Sequence, residues 1–136
     1  MQQDKIREFA TDYAKAWSSQ KASSVAAHFA PKGSLNINGG PMSVGRAAIT
    51  VDAQGFMTAF PDMVVTMDSV RANGSATVFH WTLTGTNTGP NGTGKKVLIR
   101  GHEEWTFDSD GLIQKSLGHF DQAELDQQLK NGVSSR

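Results

Sequence analysis

The sequence predicts an α+β domain in which N-terminal helices cover a curved antiparallel sheet and enclose an apolar pocket. The first observation is that apolar residues recur at three- and four-residue spacing over most of the first 60 positions, as in amphipathic helices. The second is that the spacing changes to two from about position 63, as in half-buried strands. Because helical and strand segments do not alternate, a parallel sheet of βαβ units is not expected.

Three helices are predicted before the long strands. In the first, Ile6, Phe9, Tyr13 and Trp17 share one face. The second helix carries Phe29 on its apolar face and ends at a proline, and a proline also closes the third. The predicted helices are 4–19, 22–30 and 45–60, with a short strand over 34–38 between the second and the third.

Four strands follow, and tight turns join the first pair and the last pair. Asn73-Gly74 is typical of a hairpin turn. A closing helix begins at Asp121, which forms a capping pair with Glu124. The predicted strands are 63–70, 77–86, 97–107 and 112–120, and the closing helix covers 121–130.

Length and composition exclude several classes of protein. The 136 residues fit one domain, 1–136, and the absence of cysteine excludes disulfides, zinc–thiolate sites and cysteine nucleophiles. Thirteen basic and thirteen acidic residues cancel, so the basic field that nucleic-acid binding needs is missing. The N-terminus does not resemble a signal peptide, and no apolar run approaches a membrane span. A cytoplasmic protein with neither nucleic acid nor membrane as a partner is expected.

Glu103 is the residue that most suggests a functional pocket. It alternates with Trp105 and Phe107 along one strand, so all three are expected to face inward. A carboxylate in an apolar setting is costly unless it is paired or protonated. Burial raises the pKa of such a group and makes it a candidate acid or hydrogen-bond donor. The alternative is a one-residue register slip or a bulge that turns Glu103 to solvent.

The large aromatic residues of the helices and strands are expected to face one another. They are candidates for the walls of a pocket that binds a small apolar ligand, with one serine as a small polar contact. The alternative is that they simply fill the core. The candidate substrate-binding residues are Trp17, Phe29, Phe56, Phe60, Phe79, Trp81, Trp105, Phe107, Ser116 and Phe120.

Other titratable residues offer fewer indications of a role. Asp52, at the edge of the apolar face of the third helix, and His28, on the second helix, are candidate bases. For Asp52, a solvated helix flank is the favoured explanation. His102 and His119 are expected to point away from the pocket by strand alternation. The four histidines lack ligand spacing, so no metal site is predicted.

Several stretches, in their order and spacing, resemble a known superfamily. Between about Phe9 and Leu129 the chain resembles the nuclear transport factor 2-like superfamily, and within it the SnoaL-like polyketide cyclase group. The resemblance implies a cone-shaped barrel with three N-terminal helices and a short C-terminal helix, a homodimer, and no cofactor. The stretches are Tyr13–Trp17, Val25–Ala30, Gly45–Ile49, Trp81–Gly89 leading to Lys95, Glu104–Ile113 and Gly118–Asp121.

The steroid isomerases of that superfamily polarise a ketone with a tyrosine from the first helix and a protonated acid from a late strand. The resemblance implies that Tyr13 and Glu103 take these positions. The isomerases also need a carboxylate base on the short first strand, where this chain has Ile37, which cannot accept a proton. Asn87 stands where the cyclase group often has a histidine. The resemblance therefore implies an oxyanion-stabilising pair without that proton shuttle.

Three functions are compatible with these observations. The first is a cofactor- and metal-independent acid/base enzyme of cyclase, isomerase or hydrolase type that acts on an apolar, carbonyl-bearing molecule. In it Tyr13 and Glu103 donate to the reacting oxygen, and Asp52 or His28 is the base. The second is a non-catalytic ligand-binding domain, which the missing base favours. The third is an interaction module or homodimer that uses the outer face of the sheet.

Overall fold

In the computed structural model, which describes residues 2–133, helices precede and follow a six-stranded sheet. The predicted domain limits of 1–136 therefore include end residues that lie outside the described range. No helix within 2–133 is long and apolar enough to cross a membrane. In chain order the elements are α1 (Gln3–Ser18), α2 (Ala22–Ala26), β1 (Phe29–Ile37), β2 (Met42–Val44), α3 (Arg46–Ala59), β3 (Val64–Asn73), β4 (Ala76–Thr86), β5 (Lys96–Phe107), β6 (Ile113–Phe120) and α4 (Gln122–Asn131).

The strands form one sheet in the order β2-β1-β6-β5-β4-β3. All neighbours are antiparallel except β1 and β6, which pair in parallel with Leu35 opposite Ser116. This parallel pair departs from the antiparallel expectation. Because a helix and four strands separate the two partners along the chain, no local pattern encodes their pairing. With β2 and β3 at its edges, the sheet is an open, mixed cone rather than a closed barrel, and the α+β class is confirmed.

The boundary between α2 and β1 differs from the prediction. The helix ends at Ala26 instead of residue 30, and Phe29 begins the strand, which therefore starts five residues before the predicted 34–38. Pro31 lies within β1, where the register with β6 shifts between Phe29 and Ser34. Proline lacks a backbone N–H, so it is tolerated at such an irregular position in a sheet. The strand β2, which has only three residues and is too short for a period of two to identify, was not predicted.

Helix α1 buries the face that its apolar spacing predicts. Ile6, Tyr13 and Trp17 are all buried, and the helix packs against the sheet near β3. Ser18 joins the end of the helix to that strand, because its Oγ accepts from Val65 N at 2.8 Å. The helix therefore has a fixed position over the strands that carry the candidate site.

Helix α4 is capped and docked by polar side chains. Asp121 accepts a hydrogen bond from Glu124 N at 3.1 Å, which confirms the predicted cap. The buried amide of Gln128 donates to Leu98 O and accepts from Leu98 N, at 3.0 and 2.7 Å. This pair of hydrogen bonds holds α4 against β5.

Candidate functional site

An apolar cavity of about 60 Å³ lies between helices α1 and α3 and the inner face of the sheet. A single water molecule needs roughly 10–15 Å³ of such space. The cavity therefore has room for a small molecule or for one end of a larger one. It is lined by Trp17, Leu35, Ile37, Phe56, Val65, Phe79, Trp81, Leu83, Glu103, Gly118, His119 and Phe120.

Glu103 projects into this cavity from β5, as the period-two alternation predicts. Its side chain is inward, with the residue only 7% exposed, and neighbouring Trp105 is buried on the same face. One carboxylate oxygen, Oε1, accepts three hydrogen bonds, from donors on α1, β5 and β6. The donors are Tyr13 Oη at 2.9 Å, Trp105 Nε1 at 2.9 Å and Ser116 Oγ at 2.7 Å.

The surroundings of Glu103 act on its pKa in opposite directions. Burial raises the pKa, whereas the hydrogen bonds from Trp105, Ser116 and Tyr13 lower it, and the net shift is upward. All three donors meet the same oxygen, and no donor within residues 2–133 bonds to Oε2. The second oxygen, Oε2, is therefore left for a ligand in the cavity. A proton held on Oε2 can be donated to that ligand.

Tyr13 lies behind Glu103 rather than in the cavity wall. Its side chain is fully buried, and its hydroxyl is occupied by Glu103 Oε1. Burial raises the pKa of Tyr13 well above its ordinary value, and the charge of Glu103 adds to this shift, while the indole N–H of Trp17 opposes it. In the structure, Tyr13 therefore orients the carboxyl group of Glu103. The resemblance had implied that Tyr13 donates directly to a substrate oxygen.

Trp17 brings a second polar group to the cavity. The residue is 8% exposed. Its Nε1 lies close enough to the Tyr13 hydroxyl to lower the pKa of that group, but it makes no well-formed hydrogen bond within the described part of the chain. A buried N–H without a partner costs about 1–3 kcal/mol. Because Trp17 also lines the cavity, a ligand with an acceptor oxygen would satisfy this donor.

The other predicted aromatic residues divide between the cavity wall and the core. Phe56, Phe79, Trp81 and Phe120 line the cavity together with Trp17. Phe60 lies instead on an adjacent smaller cavity of about 20 Å³. The remaining predicted contacts do not line the cavity: Phe29, Trp105 and Ser116 are fully buried behind it, and Phe107 packs partly buried against the core.

The structure does not bring either predicted base to the cavity. Asp52 is half-buried on α3 outside the lining, as expected for a helix flank. His28 lies just after α2, where Nε2 is 3.0 Å from Asp12 Oδ2 and Nδ1 is 2.8 Å from Ser24 O. Ile37 does line the cavity. The position that would carry the base of a steroid isomerase is thus near the site and apolar.

Two glycines shape the cavity and were not predicted as site residues. A Cβ at Gly101 would collide with the indole of Trp81. The absence of a side chain at Gly101 therefore allows the Trp81 ring to pack there and form one wall of the cavity. Gly118 pairs with Glu103 across β5 and β6, and a Cβ there would lie 3.7 Å from Glu103 Cγ. Leu35 and Val65, which also line the cavity, were not predicted either. Their positions at the cavity depend on pairings between strands that are distant in the sequence.

The sequence matches a family model for the SnoaL-like domain over residues 10–116. The chain belongs to the SnoaL-like domain family. This match covers most of the chain, from within α1 to within β6, and includes Tyr13, Trp17, Glu103 and Ser116. The resemblance inferred from sequence stretches alone is therefore confirmed. No curated protein matches the chain by sequence.

Solved structures share the fold of this SnoaL-like domain at low sequence identity. A hypothetical protein from Catenulispora acidiphila with a ketosteroid isomerase-like fold, in complex with trimethylamine, superposes with a TM-score of 0.79 at 15% identity, over 90% of this chain and 92% of that chain. The putative hydroxylase AclR from Streptomyces galilaeus has a TM-score of 0.79 at 20% identity, over 97% and 100% of the chains. A putative polyketide cyclase from Xanthomonas campestris pv. campestris has a TM-score of 0.75 at 19% identity, over 93% and 98%.

Proposed function

We propose that this SnoaL-like domain is an enzyme that binds the oxygen-bearing end of a small apolar molecule and activates a carbonyl by proton donation from Glu103. The observation that carries the proposal is the carboxyl group of Glu103, with Oε1 held by three donors and Oε2 left to an apolar cavity. Descriptions of similar structures as a putative polyketide cyclase and a putative hydroxylase support small-molecule chemistry.

The cavity defines the class of ligand. Its lining is almost wholly apolar, so a charged or highly polar molecule would lose its hydration without compensation. In this proposal two donors serve the ligand: the indole N–H of Trp17 and the protonated second oxygen of Glu103, both on residues that line the cavity. A carbonyl oxygen has two lone pairs and can accept from both. The small volume admits a ring of about six atoms only if part of it stays at the mouth.

Glu103 alone can provide both proton transfers in an addition to a carbonyl. The acid gives its proton to the carbonyl oxygen as an attacking hydroxyl forms the new C–O bond, and the resulting carboxylate takes the hydroxyl proton. The C=O double bond becomes a single bond, and the charges balance. Asp52 and His28, which do not line the cavity, are not required.

Exchange of ketone oxygen with labelled water tests this chemistry. Uptake of ¹⁸O from water into cyclohexanone, followed by mass spectrometry, reports addition of water to the carbonyl. The wild-type protein should accelerate exchange above buffer, and Glu103→Gln, which keeps the shape and can still hydrogen-bond, should lose about 100-fold or more of that acceleration. Equal rates in the wild type and the variant would exclude Glu103 as the acid.

A second candidate function is ligand binding without catalysis. The apolar Ile37 at the cavity favours it, because this side chain leaves the acid of Glu103 without a separate base. Binding of cyclohexanone without any acceleration of oxygen exchange would support this candidate and rule out the enzyme. The predicted homodimer is a separate proposal, and sedimentation of the full chain tests it.

A further inference from the structure

Three histidine side chains lie side by side on the outer face of the sheet, and one of the three residues, His119, also contributes to the cavity lining. His80 on β4 pairs with His102 on β5, which pairs with His119 on β6. The ring centroids are 5.6 Å apart for the first pair and 4.7 Å for the second, and the second pair is stacked. We call these three residues the histidine row.

Glu104 brings a carboxylate to one end of the histidine row. It lies two residues after His102 on β5 and therefore on the same face. Its Oε2 is 3.0 Å from His119 Nε2. One ligand atom from each of His102, Glu104 and His119 lies within 4.8 Å of the others.

We propose that His102, Glu104 and His119 bind a divalent transition-metal ion of the zinc type on the outer face of the sheet. Two imidazoles and a carboxylate are a ligand set that zinc commonly takes, and solvent completes the tetrahedron. Ligand atoms about 2.0–2.2 Å from such an ion lie roughly 3.3–3.6 Å apart. The side chains of His119 and Glu104 are 44% and 43% exposed, so small rotations about their χ angles can close the present 4.8 Å.

The surroundings of these three side chains are compatible with a cation. Stacked imidazoles repel one another when protonated, and a metal ion needs them neutral. Arg100, on the same face two residues before His102, opposes a cation, but it is exposed and can extend into solvent. The carboxylate of Glu104 provides the compensating negative charge.

The spacing of the histidines along the sequence predicted no metal site, and the sheet register explains why. The three ligands come from two strands, and the nearest pair in the chain is separated by one residue. Only the pairing of His102 with His119 brings the third ligand to the other two. Metal motifs recognised from sequence rely on short fixed spacings within a loop or a helix, which this arrangement lacks.

Titration of the untagged chain with Zn²⁺, measured by calorimetry, tests the site. The wild type should bind one ion per chain, and Co²⁺ should give the visible absorption of a four-coordinate site. His102→Ala and His119→Ala should each abolish binding, and the isosteric Glu104→Gln should weaken it by at least about tenfold. His28→Gln is the matched control, because His28 lies in the turn between α2 and β1 and contacts Asp12, and this variant should bind as the wild type does.

Circular dichroism establishes that each variant is folded. If an alanine variant does not fold, Glu104→Gln still tests the metal site, because this substitution removes the charge of the side chain and keeps its shape. Absence of Zn²⁺ binding by the wild type would overturn the proposal. Unchanged binding in Glu104→Gln and in a folded His102→Ala would do the same, since it would place the ion elsewhere.

Discussion

The hydroxyl of Tyr13 donates to Oε1 of Glu103 across 2.9 Å, and so joins helix α1 to strand β5 through residues 90 positions apart. Trp105 and Ser116 donate to the same oxygen. Donors from three elements therefore fix one oxygen of the carboxyl group and the orientation of the other. This arrangement makes Tyr13 a positioning residue for Glu103.

Tyr13→Phe should destabilise the fold by about 1 kcal/mol, measured by urea denaturation at neutral pH. The change removes one hydrogen bond, and Glu103 Oε1 keeps its other two donors, so the effect should be near the net value of a single bond. In a Glu103→Leu background the same substitution should no longer destabilise the fold, because the buried hydroxyl has already lost its acceptor. An equal loss in both backgrounds would mean that Tyr13 stabilises the fold by packing and not through Glu103.

Ionisation of Tyr13 should be suppressed in the folded protein. Burial raises its pKa well above the ordinary value of 10.0, and Tyr13 is the only tyrosine in the chain. The ultraviolet absorption of tyrosinate should therefore stay absent at pH 10–11 while circular dichroism shows a folded protein. Tyrosinate absorption near pH 10 from a still folded chain would contradict the environment described for Tyr13.

The same shift in pKa predicts how stability changes in alkali. Above about pH 10 the unfolded chain loses the tyrosine proton and the folded chain keeps it, so the unfolded state binds fewer protons. The free energy of unfolding should then fall by up to about 1.4 kcal/mol per pH unit from this group, until its folded pKa is reached. Tyr13→Phe should remove that part of the slope, and comparison of the two proteins at pH 9–11 isolates it.

Trp17→Phe should reduce binding of an oxygen-bearing ligand without reducing binding of the matching hydrocarbon. The wild type should prefer cyclohexanone over methylenecyclohexane, because only the ketone satisfies the free Nε1 of Trp17. Loss of one hydrogen bond of about 1 kcal/mol corresponds to roughly a fivefold weaker affinity for the ketone. Ligand-observed nuclear magnetic resonance measures both affinities.

Trp81→Phe is the matched control for Trp17, because it shortens another indole of the same cavity. It should change the affinities for the ketone and the hydrocarbon by the same factor. If Trp17→Phe and Trp81→Phe change the preference for the ketone over the hydrocarbon equally, Trp17 contributes only apolar contacts to the cavity. Its N–H then has no role in recognition.

The local parts of this site were predictable from the sequence. Strand alternation is a property of one segment, so it was enough to turn Glu103 inward with Trp105. Helical spacing likewise placed Tyr13 and Trp17 on the buried face of α1. The contact between Tyr13 and Glu103 depends on how helix and sheet pack, and only the family resemblance related the two residues.

The pairings between strands were not predictable from local pattern. Ser116 reaches Glu103 because β6 pairs with β5, and Ile37 reaches the cavity because β1 pairs in parallel with β6. The cluster of His102, Glu104 and His119 depends on the same register. A period of two tells which face a residue takes, but not which residue of another strand lies beside it.

Gly101→Ala should destabilise the protein by about 1–3 kcal/mol and disturb the cavity wall. The added Cβ would lie 2.5 Å from the carbonyl oxygen of His119, which is backbone and cannot move away without shifting β6, and it would also collide with the Trp81 ring. The near-ultraviolet dichroism of tryptophan should change along with stability.

Gly55→Ala is the control for this substitution, because Gly55 lies in helix α3 with nothing within 4 Å of an added Cβ. Alanine is the better helix former by about 0.8–1.0 kcal/mol, so this variant should be more stable than the wild type. Its near-ultraviolet spectrum should be unchanged. If Gly101→Ala were as well tolerated as Gly55→Ala, the close packing of Trp81 over β5 would be disproved, and with it this wall of the cavity.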